Sequence, residues 1–216
     1  AAILSALSTR SRLMNETSLS LLQQMRESPV QEAWDRLHAL YEPLIRKWLV
    51  RYELQASDAD DVAQEVLMAI SQGVASFEHN GRQGAFRAWI KGVLVNRLRK
   101  FWHSRDRRPV ASGGSDMNRR LAELDDPMSQ ISRIWNEEHD QHVLAQLITS
   151  VEPQFQPNTW AAFRMTALQG IKPGQAAEKL GLSLNAVLIA KSRVLGRLRQ
   201  EADGMVDSTS KFSSKA

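Results

Sequence analysis

Cysteine is absent from the 216 residues, which excludes disulfides and thiolate metal sites and fits a reducing cytoplasm. Histidine is sparse. His38, His79, His103, His139 and His142 form no cluster at ligand spacing, although His139 and His142 lie three apart, so no metal is expected. No run of about eighteen apolar residues occurs, which argues against a membrane span. The alanine-rich start lacks the charged-then-apolar layout of a secretory signal. No Ser/His/Asp arrangement and no glycine-rich phosphate loop is present, so neither an enzyme nor a cofactor is expected. Alternating apolar and polar residues are also missing, which leaves an all-α chain.

What is present is helical period. It predicts helices at about 19–25, 33–52, 58–76, 85–104, 129–150 and 159–169, and a pair over 170–202. The second carries Trp34, Leu37, Leu40, Leu44, Trp48 and Leu49 on one stripe, with Pro43 expected to bend or divide it. Asp58 is expected to cap the third, which carries Val62, Val66, Ile70, Val74 and Phe77 inward. A polar loop, His79-Asn80-Gly81-Arg82-Gln83-Gly84, precedes the fourth. Over 106–128 the period fails among proline, glycine and polar residues, as in a flexible linker. The expected division is therefore a tail at 1–18, a helical domain at 19–105, the linker, a second helical domain at 129–203, and a disordered tail at 204–216. Met14 reads as a natural start, with 1–13 as an upstream extension.

Charge is uneven. The formal net charge is only +4, yet residues 86–108 hold eight Lys or Arg against the single acid Asp106. That bias points to a polyanion partner. The segment 170–202 reads as a helix-turn-helix. Ala177 lets the two helices approach, Gly181 takes the turn where a positive φ favours glycine, and Ser183 caps the second helix. Ala176, Leu180, Leu182, Val187 and Ala190 supply inner contacts. At about 100° per residue, Leu184, Val187, Val194, Leu195 and Leu198 fall toward the core. Asn185, Ala186, Ile189, Ser192, Arg193 and Gly196 then face a major groove. Lys191 lands in the apolar stripe and must snorkel.

Three anchors in this order resemble one family. Asp58-Ala59-Asp60-Asp61-Val62-Ala63-Gln64-Glu65-Val66 is similar to a helix that grips the polymerase clamp. Phe86-Arg87-Ala88-Trp89-Ile90, then Val93, Asn96 and an arginine-rich end, is similar to a promoter-melting helix. The helix-turn-helix is the third. Together they resemble the extracytoplasmic-function group of bacterial sigma factors, within the sigma-70 superfamily, over about residues 19–202.

The resemblance implies an all-α protein of two small domains, a sigma region 2 bundle and a sigma region 4 helix-turn-helix, joined by a flexible linker. It implies core RNA polymerase, through its beta-prime clamp and beta flap, and promoter DNA as partners. An anti-sigma factor is a further partner it allows, and a cytoplasmic, nucleoid-associated location goes with these. Polymerase contact falls to Asp58, Asp61, Gln64, Glu65 and Met68. Asp58, Asp60 and Asp61 also have a local explanation as capping and dipole-complementing acids. The minus-ten element falls to Asn80, Gly81 and Arg82 in the loop, with Arg87, Lys91, Asn96, Arg97 and Lys100 on the basic helix. Arg99 is a further phosphate neutraliser there. The minus-thirty-five element falls to Asn185, Ala186, Ile189, Ser192 and Arg193. Many members have Ser-Arg where this chain has Ile189-Ala190, which implies a different preference at that element. The alternative is a stand-alone helix-turn-helix regulator; a module that sequesters another sigma factor is a third.

Overall fold

The computed structural model describes residues 21–27, 31–78, 84–106, 114–203 and 205. Among these there is no strand, and nine α-helices follow in order: α1 Leu21–Glu27, α2 Gln31–Val50, α3 Ala56–Val74, α4 Ala85–Asp106, α5 Gly114–Asp125, α6 Gln130–Val151, α7 Pro157–Phe163, α8 Pro173–Leu180 and α9 Leu184–Glu201. None is long and apolar enough to cross a membrane. Residues 1–20, which include the expected upstream extension, lie outside the described residues.

The first four helices pack around Leu37, Tyr41, Leu44, Trp48, Val66, Ile70, Phe86, Ile90 and Leu94, all buried. These recur every three or four residues on their own helices, so each helix turns one stripe inward. Pro43 does not divide α2, which runs through it. Proline and Ala39, whose carbonyl loses its helical donor, both lie on the exposed side, where water can take up that carbonyl. Nor does Asp58 cap α3. The helix begins two residues earlier at Ala56, behind Gln55, whose side chain makes no capping bond. Asp58 therefore lies within the first turn, where its charge still favours the helix dipole. Asp60 lies beyond it and pairs with Arg46 of α2.

The expected linker is partly helix. Residues 107–113 lie outside the described residues, but α5 occupies 114–125 and buries Met117, Leu121 and Leu124. Their i, i+4, i+7 spacing is a short apolar stripe, which the surrounding polar residues concealed. Arg120 fixes its position, because its guanidinium donates to the Arg51 carbonyl at the end of α2 and pairs with Glu53 at 3.0 Å. A cation at a helix C-terminus satisfies carbonyls that the helix itself cannot.

Helix α6 starts at Ser129, whose hydroxyl accepts from the Ser132 amide at 3.1 Å. It joins the two halves of the molecule. Trp135 meets Trp48 of α2 edge-on at 5.0 Å, and Val143, Leu147 and Val151 continue the same core toward Trp160, Phe163, Val194 and Leu198. Glu201, fully buried at the end of α9, ion-pairs with Arg36 of α2 at 3.1 Å and with Arg197. Of the expected disordered tail, Met205 is buried in this core; the rest, 204 and 206–216, lies outside the described residues.

The helix-turn-helix is built as its sequence requires. Gly181 has φ 64° and ψ 31°. Its amide donates to Glu178, and the Leu182 amide donates to Ala177 at 3.0 Å, which closes the end of α8 in a Schellman motif. Ser183 then caps α9 by accepting from the Ala186 amide at 3.2 Å. Ala162, Ala176, Ala177, Val187 and Ala190 form a second small core, in which the alanines permit close helix approach. Leu184 is a correction: expected in the core, it is 52% exposed. As the first residue of α9 it precedes the turn that packs, so the stripe begins at Val187.

Gly73 of α3 supports the packing of α4, for an added Cβ would lie 2.7 Å from Trp89 Cζ2. That ring is held between Phe77 and Phe86 at centroid distances of 5.3 and 5.4 Å. Gly73→Ala should therefore destabilise the protein by about 1–3 kcal/mol through overpacking, despite alanine's better helix propensity. Urea denaturation checks this; a more stable variant would show that Trp89 yields freely.

Candidate nucleic-acid interface

Two faces of the first four helices remain open. On α3, Asp61, Gln64, Glu65 and Met68 are exposed while Asp58 is half-buried. Met68 is 60% exposed, an unbranched apolar side chain adaptable to a partner surface. Glu65 reaches Arg97 of α4 at 3.7 Å, so the acidic face of α3 adjoins the basic helix.

On α4 the open stripe contains Asn96 and Lys100, with Trp89 and Val93 partly exposed at the same helical angle. Trp89 is chiefly a packing residue, stacked on Phe86. The expected basic surface is only partly realised. Arg87 and Lys91 point the other way, into the seam with α6. Arg87 holds both Asp140 oxygens at 2.8 Å, with side-chain exposures of 11% and 10%. Lys91 is buried against the Ser132 hydroxyl, and burial lowers its pKa. Arg97 pairs with Glu65, and Arg99 with Asp125 of α5 at 3.0 Å. Lys100 is exposed and makes no ion pair among the described residues. Arg87 and Lys91, expected at the minus-ten element, here lie in the seam with α6. Asn80, Gly81 and Arg82 lie outside the described residues.

Asp140 and Ser132 were not singled out in the sequence. With Trp135, His139 and Val143 they are spaced along α6 as one buried side with polar members, a pattern easily taken for a solvated face. The seam is an ordered chain. His139 is fully buried; its Nδ1 lies 3.1 Å from Asp140 and its Nε2 3.3 Å from the Tyr41 hydroxyl. In the neutral tautomer Nδ1–H donates to the carboxylate and Nε2 accepts from the phenol. Burial lowers the His139 pKa against the opposing pull of Asp140. Asp140 is held below the usual carboxylate range by His139 and Arg87, which outweigh its own desolvation. Nearby, Glu138 of α6 takes Lys47 at 3.1 Å and Arg51 at 2.6 Å, and Arg51 lies 4.2 Å over the Trp48 ring.

On α9, Asn185, Ile189, Ser192 and Arg193 are exposed, and Ala186 is half-buried. Lys191 is half-buried, as a snorkelling lysine would be. Among the described residues no group of three or more metal-ligating side chains occurs.

Residues 37–108 match the family model of sigma-70 region 2. Over these residues the chain is similar to sigma-70 region 2. The match begins within α2 and covers α3, the loop and all of α4, so both open faces lie within the matched span. It supports a sigma factor role in transcription initiation, a non-enzymatic role that implies core RNA polymerase and promoter DNA as partners. No curated protein matches the chain.

The seam beside region 2 has a measurable signature. Asp140→Ala leaves the Arg87 guanidinium without its counter-charge and should cost about 3 kcal/mol in chemical denaturation, whereas Arg87→Met with Asp140→Leu should recover most of it. His139 adds a pH dependence. Its folded pKa lies below the ordinary 6.5, so the unfolded chain takes up the proton first. The contribution is complete above that value and is lost as pH falls below it. Asp140 retains its contribution until the pH falls below 3.8. Stability lost between pH 6.5 and 3.8 should thus be smaller in His139→Gln; equal losses would remove the histidine from this account.

Proposed function

We propose that this protein is a sigma factor of the extracytoplasmic-function group, which binds core RNA polymerase and directs it to a limited set of promoters. The observation that carries the reading is the joint one: a region 2 match containing α3 and α4, followed by a helix-turn-helix with its Schellman turn and serine cap formed. In this reading 19–105 is region 2, 129–203 is region 4, and the first grips the clamp while the second meets the beta flap and the upstream duplex.

The exposed side of α3, through Asp61, Gln64, Glu65 and Met68 with Asp58 at its edge, is the polymerase contact. Asn96, Lys100 and the loop Asn80-Gly81-Arg82 hold the melted minus-ten strand, where an unpaired base is read by its pairing edge. Arg87, Lys91 and Arg97 join them only if polymerase binding separates α4 from α6 and from Glu65. Asn185, Ala186, Ile189, Ser192 and Arg193 read the minus-thirty-five duplex. Such binding places the protein in the bacterial cytoplasm, on the nucleoid, and leaves room for an anti-sigma factor over the same surfaces.

Run-off transcription with core polymerase and genomic upstream fragments tests the whole reading: defined transcripts that require the protein are expected, and a stand-alone regulator would give none. Gln64→Lys with Met68→Ala keeps the Glu65–Arg97 pair and should lower co-purification with core polymerase at unchanged helicity. Unaltered co-purification would remove α3 as the contact.

The DNA sites should fail differently. Arg193→Ala should weaken duplex binding, by about tenfold for one good contact, with partial recovery at low salt. Asn96→Ala should spare duplex binding and reduce permanganate reactivity of promoter thymines, because its contact exists only after strand separation. Normal melting by Asn96→Ala would refute that assignment.

A further inference from the structure

The groove-facing side of α9 is unusually apolar. Leu188 is 45% exposed and Ile189 46%, and Leu184 continues the patch one turn earlier. Asn185 lies three residues before Leu188 and four before Ile189, and Ser192 and Arg193 follow at the same angle. The helix pair is cationic: residues 171–203 hold Lys172, Lys179, Lys191, Arg193, Arg197 and Arg199 against Glu178, Glu201 and Asp203, and of these cations Arg197 is tied to Glu201. A cationic rim around two large apolar side chains and one carboxamide suits a surface that is polyanionic outside and carries methyl groups within. The major groove of A·T-rich duplex DNA has this chemistry. Phosphates line its edges, the thymine C5-methyl projects into it, and adenine offers N6 and N7 to an asparagine.

We propose that α9 reads thymine methyl groups through Leu188 and Ile189, with Asn185 on an adjacent adenine. This rests on the duplex-binding role given above to the helix-turn-helix. The spacing fits: Asn185 and Ile189 are four residues apart, about 6 Å along the helix, so their side chains span about two base-pair steps. Ala186 and Gly196 leave room on either side for the backbone to lie close to the bases. The basic residues supply affinity without sequence information.

The test uses full-length protein, alone and reconstituted with core polymerase, to select binding sites from randomised duplex DNA. Selected sites should contain thymines next to an adenine. Replacing each such thymine with deoxyuridine, which removes only the methyl group, should weaken binding about fourfold per buried methyl. Leu188→Ala with Ile189→Ala, both at exposed positions, should lower affinity and abolish the distinction between thymine and uracil. Asn185→Ala should relax the adenine preference and retain that distinction. Equal binding of thymine and deoxyuridine duplexes by the unaltered protein overturns the proposal, as does a selected site without thymine. Failure to bind duplex DNA in either form also overturns it. Run-off transcription separates this from the broader reading: transcripts without a methyl effect sink the methyl reading alone. A methyl effect without transcripts sinks the sigma factor role alone.

Discussion

The burial of α6 against both halves of the molecule is the constraint on which the rest depends. A helix with Trp135, His139, Val143, Leu147 and Val151 all buried cannot stand in water, and neither half covers it alone. It packs on α2, α4 and α5 on one side and on α9 on the other. The Trp48–Trp135 contact supplies apolar area, while Tyr41, His139, Asp140 and Arg87 supply a polar chain that tolerates only one register. Buried polar groups are costly unless each finds its partner, so this chain fixes where α6 sits.

That placement decides which charges remain available. The basic helix α4 has cations on several sides, and its neighbours sort them. Arg87 and Lys91 are taken by α6, Arg99 by α5 and Arg97 by α3. Asn96 and Lys100 stay open. The surface ion pairs are worth little and would exchange readily for phosphates. The Arg87–Asp140 pair is different in kind, because separating it strands a charge on each side. An opening of the seam is thus the step that would recruit Arg87 and Lys91 to nucleic acid, at a free-energy cost a partner must offset.

The two halves of the described molecule use contrasting chemistry. The span similar to sigma-70 region 2 surrounds its open stripe with aromatic packing and charge, and the alanine-lined core of the helix-turn-helix brings α9 close to α8. Close approach leaves the outer side of α9 to Leu188, Ile189 and Asn185, with cations around the rim.

The sequence by itself determined the all-helical fold, the order of the helices other than α5, and the turn of the helix-turn-helix. Gly181, Ser183 and the alanines of α8 are legible because their effects act within a few residues, through backbone dihedrals and capping bonds. The open face of α3 was legible too, since helical period separates Gln64 and Glu65 from Val62 and Val66. Tertiary structure decided the rest. Asp58 lost the cap because α3 begins two residues earlier, the Ala59 amide already donating to the Gln55 carbonyl. Met117, Leu121 and Leu124 became a helix because α4 offers them a surface. Leu184 was left out because no element covers the first turn of α9. Arg87 and Lys91 turned inward because Asp140 and Ser132, 53 and 41 residues away, lie on the one helix both halves must bury. Long-range pairing of that kind leaves no period in the chain, and only the packed molecule reveals it.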